Sequence, residues 1–321
     1  MRKPLNARLV TLIAGAALVL TTSVACAESA PTGEQGAPTG EQAAPTGEQG
    51  APPGEQAAPT GEQGAPTGEQ DQPPLNIVGL TDDNKLVQFS ANNASPRETG
   101  TISGLGGGDT RLVGIDYRVA DGRLYGVGDM GGLYTLETNG QATGVGRLTI
   151  ALQGTNFGVD FNPAADALRV VSDTGQNLRQ SFAATPLAAT VADTPLSYPP
   201  AAPPAAGITG AAYSNNDTDP NTATTLHDLD TTMDQIAIQS PANSGTLAAS
   251  GKLTVDAGPN AGFDIYSAMR GGSIVNQRAF ATLQVGGQYG LYRITLFSGK
   301  AELVGAFGRN VVDLAIPLNQ P

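Results

Sequence analysis

Between Leu112 and Leu148 the chain reads as short apolar runs broken at regular intervals by turn residues (LVGIDYRVADGRLYGVGDMGGLYTLETNGQATGVGRL). Leu112–Tyr117, Arg123–Val127, Gly132–Glu137 and Ala142–Leu148 each predict a strand. Asp121-Gly122, Asp129-Met130-Gly131 and Asn139-Gly140 fill the gaps. Asp-Gly and Asn-Gly supply the positive φ that tight hairpins need, so each gap predicts a turn. Four antiparallel strands in about 40 residues make one propeller blade.

The same pattern recurs down the chain. Asn156–Phe161 opens a further blade, followed by Ala167–Ser172, Asn177–Phe182 and Leu187–Ala192. Ile208–Tyr213 opens another, with Thr224–Leu229, Gln235–Gln239 and Thr246–Leu253. Ala261–Tyr266 opens the next, with Ala279–Gln284, Gly290–Leu296 and Ala301–Phe307. Upstream, Val78–Phe89 lies in register with Tyr125–Leu136 and is followed by a strand around Glu98–Gly104, but no opening strand precedes it. Downstream, Val311–Ile316 is an opening strand with nothing after it. The missing strand and the orphan strand complete one blade, the velcro closure by which a ring hides two sheet edges. Opening strands near positions 112, 157, 208, 261 and 311 are spaced by 45, 51, 53 and 50 residues. The prediction is an all-β, five-bladed β-propeller over residues 75–321; a two-layer sandwich would not explain the periodic register. Pro195–Pro204 and Asn215–Thr222 interrupt the pattern as rim insertions, where binding surfaces often develop.

The residues ahead of the blades have a different character. Residues 1–27 read as an export signal, with Arg2, Lys3 and Arg8 before the 12-residue apolar run Leu9–Leu20 and a small-x-small site at Ala25-Cys26-Ala27. Ser23-Val24-Ala25-Cys26 also resembles a bacterial lipobox, which makes Cys26 the lipidation candidate. Plain secretion and a lipid anchor both remain open. Residues 28–74 hold six near-copies of A-P-T-G-E-Q-G/A, starting at Ala30, Ala37, Ala44, Ala51, Ala58 and Ala65. Pro and Gly in every copy, with no recurring apolar pair, predict a disordered spacer. The expected address is extracytoplasmic, with membrane contact only through a lipid on Cys26.

Composition narrows the partners. Residues 75–321 carry 21 acidic and 14 basic side chains, a net −7. An acidic domain without a basic stripe is a poor match for nucleic acid or an anionic membrane. With a single cysteine the domain has no internal disulfide and rests on its core alone.

The motifs LVGIDYR…GRLYGVGDMGGLYTL, NFGVDFNPAADALRVVSDTGQNLR and SPANSGTL…GFDIY resemble a bacterial family catalogued as domain of unknown function 4394. The resemblance spans roughly residues 75–318. It implies an exported or cell-surface propeller and brings no assigned catalytic residues. The fourth blade departs from the rest, with Ala211-Ala212 where Gly-x-Asp stands elsewhere and His227 where the second blade has Tyr125.

Candidate chemistry centres on Asp116, Asp160, Asp264 and Asp313, one per opening strand, next to the expected axial channel. Carboxylates gathered from several blades suit Ca²⁺, which takes six to eight oxygens. Alternatively, each Asp caps backbone amides of an adjacent turn, or pairs with an arginine such as Arg123 or Arg169. The spacing also predicts a one-residue slip of Asp264 and Asp313 relative to Asp116. Asp82, Asp129 and Asp173 sit in equivalent turns, where an Asp side chain closes an Asx-turn. His227 is the only histidine, and no G-x-S-x-G elbow is present to make a nucleophile triad. Gly106-Gly107-Gly108 precedes a strand rather than a helix and cradles no phosphate. The functional expectation is a non-enzymatic propeller that binds an extracytoplasmic protein or small ligand. The alternatives are a Ca²⁺-assisted, lactonase-like hydrolase and a purely architectural surface domain.

Overall fold

The computed structural model describes residues 73–200, 204–219, 222 and 224–320. The expected export signal, Cys26 and nearly all of the expected spacer lie outside the described residues. Twenty strands follow in chain order: β1 (Asn76–Thr81), β2 (Lys85–Ser90), β3 (Asn93–Thr101), β4 (Leu112–Tyr117), β5 (Leu124–Gly128), β6 (Gly132–Leu136) and β7 (Ala142–Arg147). Next come β8 (Phe157–Asn162), β9 (Ala167–Ser172), β10 (Asn177–Ser181), β11 (Val191–Ala192), β12 (Ile208–Tyr213), β13 (Leu226–Asp230), β14 (Gln235–Gln239) and β15 (Leu247–Lys252). The last are β16 (Gly262–Arg270), β17 (Ser273–Val285), β18 (Gln288–Ile294), β19 (Ala301–Ala306) and β20 (Val311–Ala315).

They form five four-stranded antiparallel sheets, β20-β1-β2-β3, β4 to β7, β8 to β11, β12 to β15 and β16 to β19. The innermost strands touch in the cyclic order β20, β4, β8, β12, β16 and back to β20. This is a five-bladed β-propeller. The closing strand β20 pairs antiparallel with β1, Val78 opposite Ala315 and Leu80 opposite Asp313, as the missing first strand requires.

Local sequence explains the hairpins. Gly122, Gly131 and Gly140 all adopt positive φ (69°, 84° and 86°), where the Asp-Gly, Asp-x-Gly and Asn-Gly signals placed turns. The middle strands β5 and β6 are buried throughout, because each blade is covered by a neighbour on both faces. The outermost strand β7 is exposed at five of six positions.

Five apolar clusters fill the five seams between blades. The seam between the fifth blade and the composite blade joins Phe280 and Leu291 to Phe89, with Val311, Leu314 and Ile316 of the closing segment among them. Tyr125, Phe161 and Phe182 meet edge to face across the seam between β4–β7 and β8–β11, with centroids 5.0–5.4 Å apart.

Two expected spans are corrected. The strand predicted over 187–192 shrinks to β11, because the Gln180 side chain takes the ladder's place, donating to Ala188 O and accepting from Thr190 Oγ1. The hairpin predicted from 261–266 and 279–284 is longer, its pairing running to Arg270 opposite Ser273. Gly271-Gly272, both at positive φ, close it as a tight turn.

Truncating Leu314, which is 1% exposed in the closing seam, is expected to cost about 2–4 kcal/mol. Urea unfolding of Leu314→Ala measures this; a loss below about 0.5 kcal/mol, the size of an ordinary surface change, would mean that the closing strand carries no core.

Candidate functional site on the ring axis

The opening strands carry a repeated G-x-D/A: Gly114-Ile115-Asp116, Gly158-Val159-Asp160, Gly210-Ala211-Ala212 and Gly262-Phe263-Asp264. In the composite blade the order is inverted, Asp313-Leu314-Ala315. The glycine permits close approach of neighbouring opening strands. A Cβ on Gly158 would lie 2.6 Å from Ala211 N, and one on Gly262 would lie 2.4 Å from Asp313 Cα.

The aspartate then grips the neighbour. Asp116 Oδ2 accepts Phe161 N–H (2.7 Å), Asp160 Oδ1 accepts Tyr213 N–H (3.0 Å) and Asp264 Oδ2 accepts Ile316 N–H (2.7 Å). Each takes the amide that follows the equivalent residue of the next blade, which places Asp116, Asp160, Ala212, Asp264 and Ala315 in one layer. Asp264 is therefore in register with Asp116, against the expected slip. Asp313 sits two residues earlier, among the four glycines, and its Oδ2 accepts Ile115 N–H (2.8 Å). The caps reach across blades, not to an adjacent turn.

Asp264, which follows the alanine blade, also takes its own following amide, Ile265. Asp160 has the aspartate blade of Asp116 before it and the alanine blade of Ala212 after it, and among the described residues only its Oδ1 takes a hydrogen bond.

One carboxylate oxygen each from Asp116, Asp160 and Asp264 lie within 4.8 Å of one another, and all three residues are buried. No ion pair among the described residues reaches them. Arg169 is committed to Asp193 (2.7 Å), Asn177, Asn243 and the Tyr213 hydroxyl, and Arg123 to Thr135 and, at 3.9 Å, Glu137. The expected pairing with either arginine is absent.

Burial, followed by the neighbouring Asp264 charge, pushes the Asp116 carboxyl well above the usual range. Burial, then Asp116 and Asp264, does the same to Asp160. Burial lifts Asp264 to about 7 and raises Asp313 well up, while their amide donors pull the other way.

The cluster opens into a small cavity lined also by Tyr117, Tyr213 and Asn215. Its free volume is about 10 Å³, roughly what one water molecule needs. Asn215 is 1% exposed and its Nδ2 has no partner. Beside this mouth, the long β16–β17 hairpin frames a cleft of about 400 Å³ with Asn216, Ser267, Arg270, Val275, Asn319 and Gln320 in its wall.

The other candidates take structural places. Asp129 accepts Thr110 N–H and Oγ1–H, and Asp173 accepts Thr155 N–H and Asn156 N–H. These turn aspartates clamp the segment entering their own blade, rather than closing an Asx-turn. His227, opposite Ala212 as Tyr125 is opposite Asp116, is buried, and burial lowers its pKa to about 4.

Asp228 beside it was not singled out by its sequence. It is fully buried, neither carboxylate oxygen has a partner, and burial lifts its pKa to about 8 against the pull of Arg169. Nothing in an His-Asp pair on an apolar strand signals that.

A family model described as a domain of unknown function (DUF4394) matches residues 85–315, from β2 to the end of β20. The chain belongs to that family. No curated protein matches it. Among solved structures, a Lactobacillus plantarum protein is 17% identical over 73% of this chain and 67% of its own, with a TM-score of 0.33. A chain of a nidogen/laminin complex is 11% identical over 78% of this DUF4394 chain and 100% of its own, with a TM-score of 0.42. A putative 6-phosphogluconolactonase from Bacteroides fragilis is 12% identical over 75% and 69%, with a TM-score of 0.34. At these scores the likenesses carry no functional argument.

Asp160→Ala removes the acceptor for Tyr213 N–H and is expected to cost about 1–3 kcal/mol. Asp160→Asn keeps an acceptor oxygen and should lose less than half of that in the same urea titration; equal losses would sink the clasp.

The raised carboxyls also set a pH dependence. The folded state retains protons that an unfolded Asp, titrating near about 3.9, has released. Stability therefore falls as the pH rises above about 4; the share carried by Asp264 is lost by about 7 and that carried by Asp228 by about 8. In metal-free buffer the melting temperature should drop between about pH 5 and pH 8, and Asp228→Asn should flatten the upper part. A flat profile would contradict the buried-acid assignment.

Proposed function

We propose that this protein is an extracytoplasmic, non-enzymatic binding propeller that takes a small polar ligand in the cleft beside the axial mouth. One observation carries the reading: the chemistry-bearing carboxylates and the ligand-sized space do not coincide. The cavity that holds Asp116, Asp160 and Asp264 has about 10 Å³ free, far below the roughly 300–1,000 Å³ of small-molecule sites. A lactone or ester carbonyl has no room beside them, which argues against the hydrolase alternative. The neighbouring cleft of about 400 Å³ is of ligand size. Its wall combines amide and hydroxyl groups with the guanidinium of Arg270 on an acidic domain, a lining suited to polar, oxygen-rich molecules. Export and the stalk are read from residues 1–74 of the sequence.

Three measurements test this. Assays with p-nitrophenyl acetate and γ-butyrolactone, with and without CaCl₂, should show no turnover above that of Asp160→Asn. Turnover abolished by that substitution would establish the hydrolase instead. A thermal-shift panel of monosaccharides, amino acids and small carboxylates should yield a ligand whose affinity falls about tenfold, or about 1.4 kcal/mol, in Asn216→Ala or Arg270→Ala. For the address, the intact mass of protein expressed in a bacterial host should lack residues 1–27 or begin at acylated Cys26. The uncleaved mass would refute export.

A further inference from the structure

We propose that Asp116, Asp160 and Asp264 form a calcium-binding site on the propeller axis. The inference stands on the axial cavity and is independent of which ligand the rim cleft takes.

Three features of the cavity point to an ion. The first is spacing: one oxygen from each carboxylate lies within 4.8 Å of the other two. A cation with oxygens at about 2.4 Å separates opposite ligands by no more than about 4.8 Å. The second is charge. Asp116, Asp160 and Asp264 come from three different blades, are buried, and have no basic partner among the described residues, Arg169 and Arg123 being engaged elsewhere. Buried carboxylates without a counter-charge require a proton or a cation. The third is a polar atom left unused. The buried Asn215 Nδ2, in the wall of the same cavity, has nothing to donate to among the described residues. A water on the ion would accept from that amide while its oxygen coordinates the metal.

The donor set decides among cations. Neither histidine nor cysteine lines the cavity, so the ligands are hard oxygens, which suit Ca²⁺ or Mg²⁺ rather than soft metals. Mg²⁺ keeps several of its waters and demands near-ideal octahedral geometry. Ca²⁺ accepts irregular sets of mono- and bidentate carboxylates, which suits aspartates whose positions are already fixed by inter-blade hydrogen bonds. Asp313 lies two residues away along the strand direction and outside this set of three. Asp264 also holds the amide of Ile316, so an ion at this point would brace the segment that shuts the ring.

The test uses the full chain, stripped with EDTA and held at neutral pH. Isothermal titration with CaCl₂ should give one ion per chain, with MgCl₂ binding at least about tenfold more weakly. The melting temperature should climb with Ca²⁺ by mass action. Terbium supplies an orthogonal readout: the chain has no tryptophan, and Tyr117 and Tyr213 line the cavity. Tyrosine-excited Tb³⁺ emission should therefore saturate at one site and be displaced by Ca²⁺. In Asp160→Asn the Ca²⁺ affinity should fall about tenfold or more. Should that variant not fold, wild-type stoichiometry and Ca²⁺-displaceable Tb³⁺ emission decide the matter. No saturable binding up to about 10 mM, beyond the weakest extracellular calcium modules, would overturn the proposal. So would unchanged affinity in a folded Asp160→Asn protein.

Discussion

The hydrogen bond from a backbone amide of one blade to a carboxylate of the previous one is the constraint on which this ring depends. At the axis five strands converge edge to edge, and no sheet ladder joins one blade to the next. Glycine at the first position of G-x-D lets the strands approach, and the aspartate two residues later accepts an amide that would otherwise be buried without a partner. A neutral acceptor could fill the same place. The carboxylate forms a stronger bond, and brings a second oxygen and a charge that the fold must then accommodate.

The composite blade solves its own problem with the same parts in reverse order. Asp313 occupies the glycine layer and Ala315 the aspartate layer, so the closing strand both grips Ile115 and is gripped by Asp264. Closure is thus held at two heights along the axis, in addition to the β1–β20 ladder and the apolar seam around Leu314. The fourth blade lacks a carboxylate at Ala212, and Asp264 serves Ile265 itself. That blade also holds His227, Asp228 and Gln239, each buried with an unpartnered side-chain atom. Among the described residues, the blade that contributes least to the axial clasp is the one with the most polar groups left unsatisfied in its body.

Three acids packed without counter-charge set the electrostatics of the axis. In water each would ionise near the ordinary carboxylate range, and in the ring each resists it, through burial and through its neighbours. The cost is borne by a scaffold whose seams are otherwise apolar. It gives the channel a chemistry that the rim lacks, in a space too small for an organic molecule.

Much of the architecture was legible in the chain alone, because its signals are local. Gly122, Gly131 and Gly140 mark turns by their freedom at positive φ, and periodic recurrence of opening strands counts the blades. The orphan at 311–316 announces closure. The aspartates were legible as a set, but their register was misjudged by spacing, since loops of unequal length hide the alignment that the inter-blade amide bonds reveal. Asp228 gave no sign, for its burial depends on which face of β13 meets the third blade. What an aspartate does on the axis is decided between blades some 50 residues apart, and only the closed ring brings its amide partner, its like-charged neighbours and its single-water cavity to one point.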